Sequence, residues 1–403
     1  MKSLASGAPL FRTRGNADSG KVSFIELFFD LVFVFAVTQI SHSFLKHFTL
    51  EGAVQLGLMT MAVWWVWIFT AWVINWLNPE TPQVRLMLIA LMLLGLVMST
   101  SIPKAFESSG MYFAIAYSLF HVGRTVFTVW VFRNGAPELR VNFIRILCWL
   151  ALSGLFWVAG GFVNDSARLA LWGVALLIEY VAPSVGFWLP KLGRTPTTVW
   201  DVESSHMAER CGLFIIIALG ESILVTGATF AEIAWNPVTI AAFASAFAGT
   251  VAMWWIYFDA TSKTGHYYLS QSSDPGKIAR SAYTYTHLLL VAGIIVSAVA
   301  DELVLAHPLG PAGAKTALVL LGGPALFLLG NLFFLRIVGG MFPIPYLAGL
   351  AALVVLAGFA GMLPALLLSI LTTLLLAAVS IWGHVFCNQV SRKRSALSPS
   401  TNI

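Results

Sequence analysis

Long apolar runs separated by short polar connections dominate the chain. Twelve of them qualify as spans, near residues 24–44, 51–76, 83–103, 111–132, 141–163, 168–189, 207–229, 237–260, 280–300, 315–337, 344–362 and 364–388. A helix crossing the hydrocarbon core of a bilayer needs about 20 mostly apolar residues. A membrane barrel would show weaker, alternating segments of about ten residues. The pattern therefore predicts an all-α, polytopic transmembrane helix bundle of about twelve spans. The last boundary rests on little more than Gly361 and Pro364.

Composition sharpens this. Of 403 residues, 58% are hydrophobic and 10% charged, where a soluble domain carries roughly a quarter charged. A soluble fold cannot hide that much apolar surface; a bilayer solvates it. The net charge of +5 does not mark a nucleic-acid partner, because the basic residues lie in short connections and form no single patch. Lys46, Lys104, Arg168 and Lys315 fall on one side of the predicted spans and Arg124 within one; the rest of the 23 Lys and Arg lie on the side of the N terminus. By the positive-inside rule, both termini are expected in the cytoplasm. Residues 1–20 contain Arg12 and Arg14 but no apolar core of a signal peptide, and are read as a flexible tail, as are residues 391–403. Cys148, Cys211 and Cys387 show no metal-type spacing and are read as small core residues. No metal or cofactor is expected; the expected partners are the lipid bilayer and a small solute or ion, and the oligomeric state is open.

The chain divides into two similar six-span halves, 21–190 and 206–390, joined by a cytoplasmic linker at 191–205. Glu26 opens the first span and Glu209 the seventh; Trp64-Trp65 lie in the second and Trp254-Trp255 in the eighth; Arg85 and Arg280 enter the third and ninth. An even number of spans per half gives both halves one orientation, as in parallel transporter repeats.

Ionisable groups at membrane depth are costly unless paired, hydrated or neutral, so they mark where function is sought. Glu26 and Asp30 are four residues apart, about 40° on a helical wheel, with Ser41 returning to that face and Gln39 and His42 pointing elsewhere. Tyr117, His121, Arg124 and Thr128 form one polar stripe. Arg124 cannot shed its charge, and Asp30 or Glu221 is its expected carboxylate. His206, Arg210 and Glu221 lie on span seven; Arg210 and Glu221, eleven residues apart, share a face, with Gly212, Gly220 and Gly227 nearby. Glu221, near mid-depth, is the leading candidate for proton coupling. Glu179 precedes Pro183, which is expected to kink span six. Arg280, Thr284 and His287 form a stripe on span nine, Asp259 ends span eight, and Asp301, Glu302 and His307 are read as loop residues on the far side. Each of these groups has a structural reading beside the functional one: an ion pair or a hydrogen bond that fixes the bundle.

Four stretches carry a resemblance. Glu26-Leu-Phe-Phe-Asp30 through Gln39-Ile-Ser-His42, His206-Met-Ala-Glu209-Arg210 through Gly220-Glu221-Ser222, Trp254-Trp255-Ile-Tyr257-Phe-Asp259, and His287 through Gly293 to Asp301-Glu302 and His307-Pro308 resemble the bacterial low temperature requirement A family, over nearly all of 20–390. Cys211 departs from the aromatic residue often found there. The resemblance implies a multi-span bacterial membrane protein, linked by name to growth in the cold, and no particular substrate. No phosphate loop, HExxH, CxxC or GxSxG is present, so ATP-driven pumping and the common hydrolase and redox chemistries lack their signs. The leading expectation is a proton-coupled secondary transporter of a small solute, not an enzyme. The alternatives are an ion or proton channel, a lipid-modifying membrane enzyme, or a structural protein.

Overall fold

The computed structural model describes residues 10–12, 20–197, 200, 202–262, 265 and 274–397. Among the described residues there are twelve long helices. They are α1 (Phe24–Lys46), α2 (Leu50–Trp76), α3 (Pro82–Ser101), α4 (Gly110–Val131), α5 (Pro137–Phe162) and α6 (Asp165–Val181), followed by α7 (Ser204–Glu232), α8 (Pro237–Trp255), α9 (Pro275–Ala306), α10 (Ala314–Gly339), α11 (Ile344–Phe359) and α12 (Ala365–Leu397). Pro82, Pro137, Pro237 and Pro275 stand in first turns, where a missing N–H costs nothing. Eleven of these helices are long and apolar enough to cross a membrane. The exception, α6, has 17 residues. It stops at Val181 and not at 189, because Pro183 has no N–H with which to continue the helical hydrogen bonds. A turn with Gly186 and Phe187 at φ 66° and 51° follows. The expected kink is therefore a helix end.

The expected spans eight and nine also differ in detail. π-helical turns occupy Ile256–Ser262 at the end of α8 and Ala279–Thr286 within α9. A π turn inserts residues relative to α spacing, so Arg280, Thr284 and His287 do not form the stripe that helical periodicity predicts.

The structure divides into two compact units, Met1–Ile217 with Ser272–Arg280, and Ala218–Gln271 with Ser281–Ile403. The division falls inside α7 and not in the 191–205 connection, because the first turns of α7 are bound to α1 and α2 by the side chains described below. In the first unit α2 is central: 89% of its most apolar window is buried. It packs against α1, α4 and α6. Trp65 stacks on Tyr180 of α6 at 3.9 Å between ring centroids, and Trp67 meets Phe214 at 4.3 Å. These tryptophans are interior packing, whereas Trp254 and Trp255 are 45% and 50% exposed; the two pairs occupy unlike environments. At the other end of this unit, Arg168 donates to the carbonyls of Gly160, Val163, Ala105 and Glu107 and to the Asn164 side chain, clamping the α3–α4 connection to α5 and α6.

Residues 10–12, expected in a loose tail, are docked. Phe11 bridges to Leu77, stacks on Phe132 at 5.4 Å, and Arg12 N–H donates to the Trp76 carbonyl. At the opposite terminus α12 continues past residue 390 to Leu397; the remaining residues of both expected tails lie outside the described ones. Cys211 and Cys387 are buried as expected, but Cys148 is exposed.

In the second unit α9 and α10 pack backbone against backbone. A β-carbon on Gly293 would lie 2.6 Å from the Phe327 nitrogen and 2.8 Å from the Gly323 carbonyl. Small residues permit such backbone contact between membrane helices. Gly293→Leu should therefore destabilise the protein by about 1–3 kcal/mol or more through overpacking. Gly322→Ala, where nothing lies within 4 Å, should be tolerated. Thermal midpoints in detergent, read by size-exclusion after heating, check both.

Candidate functional site

The first two turns of α1 and α7, together with Arg12 ahead of α1, bring four charges together. Arg210 forms a two-pronged ion pair with Asp30, Nη1 to Oδ2 at 2.8 Å and Nη2 to Oδ1 at 2.7 Å. Both side chains are at most 1% exposed. Trp67 Nε1 donates to Asp30 Oδ1 at 2.8 Å, and its ring lies 5.4 Å from the Arg210 guanidinium carbon. Arg210 also donates to the Glu26 backbone carbonyl. Bidentate arginine–carboxylate geometry of this kind is strong and directional. It fixes α7 against α1 while α2 supplies the third side.

Glu26 lies one turn before Asp30. Its Oε2 accepts from the Ser23 N–H and hydroxyl, both at 2.8 Å, and from Arg12 at 3.2 Å. Its Oε1 is 2.7 Å from His206 Nε2. Glu26 thus closes back on the N-cap of α1 as the acidic half of a capping box, in addition to facing His206.

The proton on His206 can be placed from its neighbours. Asn75 Oδ1 accepts from the Glu203 N–H, which identifies the other amide atom as Nδ2. That NH2 group donates to the Glu203 carbonyl and faces His206 Nδ1 at 3.2 Å. Nδ1 is therefore an acceptor, and Nε2 carries the hydrogen donated to Glu26. Arg12, 3.1 Å from the same Nε2, directs its bond to the carboxylate. His206 is neutral, and the set of Arg12, Arg210, Glu26 and Asp30 is balanced in charge.

A second cluster involves α4, α5 and α6 and reaches α2 at Val66 and Thr70. Glu179 accepts from Tyr117 Oη at 2.6 Å, from Trp157 Nε1 at 3.0 Å and from the Ser153 hydroxyl. Two turns further along α4, Arg124 Nη1 donates to the Val66 carbonyl at 3.1 Å and to Thr70 Oγ1 at 3.0 Å, and Nη2 donates to His121 Nδ1 at 2.9 Å. The expected Arg124–Asp30 pair does not form, since Arg210 occupies Asp30. Among the described residues no carboxylate is hydrogen-bonded to Arg124. Because His121 Nδ1 accepts, its hydrogen sits on Nε2, and that Nε2 and Arg124 Nε are buried without a partner. Two buried donors are thus left without an acceptor among the described residues.

The remaining candidates separate. Glu209 is exposed, one position around the helix from buried Arg210. Glu221 is buried in the second unit beside Ser222, whose hydroxyl lies 3.3 Å from that of Thr250. His287 is buried in the second unit; its Nδ1–H donates to the Ala282 carbonyl at 3.0 Å, so Nε2 accepts from the Tyr257 hydroxyl at 2.9 Å. Ser41 is buried, and His42 is exposed, as the wheel predicts. Arg12, Trp67, Asn75, Thr70, Ser153 and Trp157 were not legible as site residues. The Ser23-Phe-Ile-Glu26 spacing was the available signal for the cap.

Removing one member of a buried pair leaves a charge without compensation, at about 3–5 kcal/mol. Asp30→Asn should lower the thermal midpoint accordingly, and adding Arg210→Met should recover most of the loss. Equal midpoints for Asp30→Asn and wild type would show that the pair carries no stability.

Comparison with known proteins agrees with this chain's pattern of helices. Residues 21–381 match the family described as bacterial low temperature requirement A protein. A protein of Rhizobium meliloti (strain 1021), whose name says only that it is uncharacterized, is 39% identical over 391 residues, covering 97% of this chain and 95% of its own length. No solved structure matches. With the match spanning every helix from α1 into α12, the chain belongs to the bacterial low temperature requirement A family of membrane proteins.

Proposed function

We propose that this protein is a proton-coupled secondary transporter of a small solute, with no enzymatic step, lying in the bacterial plasma membrane with both termini cytoplasmic. The observation that carries the reading is the pair of unpartnered donors at His121 Nε2 and Arg124 Nε. A buried cation with free N–H groups suits a solute that brings an acceptor, such as a carboxylate or carbonyl. Arg124 meets that acceptor in this reading, and Glu179, held by Tyr117, Ser153 and Trp157, balances the charge nearby. The linked Glu26–His206–Asn75 set, with one proton shared along it, is the proton-handling element, and buried Glu221 is a second candidate for that role. Helix pairings support a duplicated architecture of the kind transporters use. The contacts α2 with α6, α3 with α4, α4 with α5, and α5 with α6 recur as α8 with α12, α9 with α10, α10 with α11, and α11 with α12. The excess of Lys and Arg on the side of the termini supports the orientation.

The test is reconstitution in liposomes with a trapped pH dye, imposed pH and voltage gradients, and a panel of small carboxylates outside. Proton entry should rise when a transported carboxylate is added. Arg124→Gln should weaken apparent solute affinity by about tenfold or more, as loss of a buried charge contact does. Glu26→Gln and Glu221→Gln should act on the proton component. Proton flux that ignores every solute and is too fast for alternating access would indicate a channel instead, and no flux under any gradient from well-folded protein would contradict both.

A further inference from the structure

The second unit contains a small cavity with a mixed polar and apolar lining that the transport reading does not use. It has a volume of about 30 Å³ and lies among α8, α9, α10 and α12, lined by Ser297, Asp301, Leu320, Ser369, Thr372 and Thr373. The sequence places Asp301 in a far-side loop; it belongs instead to α9, which continues to Ala306. Among the described residues no basic side chain is paired with Asp301. A carboxylate facing an apolar bundle without a counter-charge is costly.

The other groups present oxygens. Ser297 is 6% exposed and its hydroxyl has no hydrogen-bond partner. Thr372 donates its hydrogen to the Leu368 carbonyl and Thr373 to that of Ser245, so both oxygens keep lone pairs for another partner. Pro324 stands inside α10. Having no N–H, it leaves the carbonyl of Leu320, four residues earlier, without its helical bond. Gly323, beside that proline, admits the Ser297 hydroxyl: a β-carbon there would come within 2.4 Å of it. A single carboxylate, neutral hydroxyls and a released carbonyl make an all-oxygen set of low charge.

We propose that this cavity binds one sodium-sized monovalent cation, with Asp301 as counter-charge and Ser297, Thr372 and the Leu320 carbonyl among its ligands. One carboxylate is too little charge for the oxygen cages that hold calcium. Hydroxyl and carbonyl oxygens without imidazole or thiolate do not suit zinc or copper. The volume accommodates one or two water-sized particles. Asp301 is five residues before the end of α9, about 8 Å of helix, which leaves a short entry path from that end.

Purified full-length protein in detergent is held in choline chloride and titrated with NaCl, and in parallel with KCl, at constant ionic strength. Thermal midpoint and retained radioactive sodium are both read. The expected result is a saturable rise in midpoint with sodium and not with potassium, with sodium retained. Asp301→Asn should abolish both signals. Ser297→Ala should raise the half-saturating sodium concentration roughly tenfold, the effect of losing one ligand. Arg124→Gln should leave the sodium response intact, which separates this site from the transport reading. Identical midpoints in sodium and choline with no retained sodium, equal effects of sodium and potassium, or an undiminished response in Asp301→Asn would each overturn the proposal. Should Asp301→Asn fail to fold, an unchanged sodium response in Ser297→Ala overturns it.

Discussion

An arginine keeps its charge wherever the chain places it, so a helix bundle that buries one must supply counter-charge and acceptors from its own helices. Arg210 is the case on which the first unit depends. Its guanidinium holds Asp30 by two bonds, reaches the Glu26 carbonyl and lies over Trp67. These contacts set the approach of α7 to α1 and α2, and the neighbouring positions follow from it. With α7 held there, His206 falls between Glu26 and Asn75, and Arg12 completes the charge balance from outside α1. The division of the chain inside α7 follows from the same pair.

The two units manage buried polarity by different chemistry. The first uses guanidinium groups and carboxylates, tied to indole N–H, phenol and hydroxyl groups. In the second the polar interior is hydroxyls, the carboxyl groups of Glu221 and Asp301, His287, and Asn331, which accepts from Thr261 at 2.6 Å and donates to the Phe327 carbonyl. Hydroxyls can satisfy their single hydrogen on the preceding turn of their own helix, as Thr226, Thr250 and Thr372 do. They therefore add polarity to a membrane helix at little desolvation cost while leaving lone pairs to spare. Guanidinium groups cannot be satisfied locally and must reach across helices, which makes them determinants of packing.

How much of this was legible in the sequence follows the same physics. Span lengths are set by the bilayer, so α1 to α5 and α7 to α12 could be read from apolar runs. Pro183 was visible, but whether it kinks or ends a helix depends on the turn beyond it. Helical spacing correctly put Glu26 with Asp30, and Tyr117, His121, Arg124 and Thr128 on buried faces. A wheel gives direction on one helix and says nothing of which neighbour lies there. For that reason the spacing offers Arg124 either Asp30 or Glu221, and Asp30 belongs to Arg210. The π turns of α8 and α9 have no signature in apolar periodicity, and they displaced the Arg280–Thr284–His287 stripe. Arg12 sat in a stretch that composition marks as a tail, and Trp67 and Asn75 lay within an apolar run where nothing distinguishes a bonding residue from a packing one.

The four charges where α1 meets α7, those of Arg12, Glu26, Asp30 and Arg210, form a closed, neutral set with defined proton positions. Solid-state nitrogen-15 NMR of histidine-labelled protein in lipid tests it most directly, with the His206 signal assigned by its loss in His206→Gln. The account predicts a neutral ring with hydrogen on Nε2 and an unprotonated Nδ1 facing Asn75. A doubly protonated His206 ring, or a neutral one carrying its hydrogen on Nδ1, would contradict it.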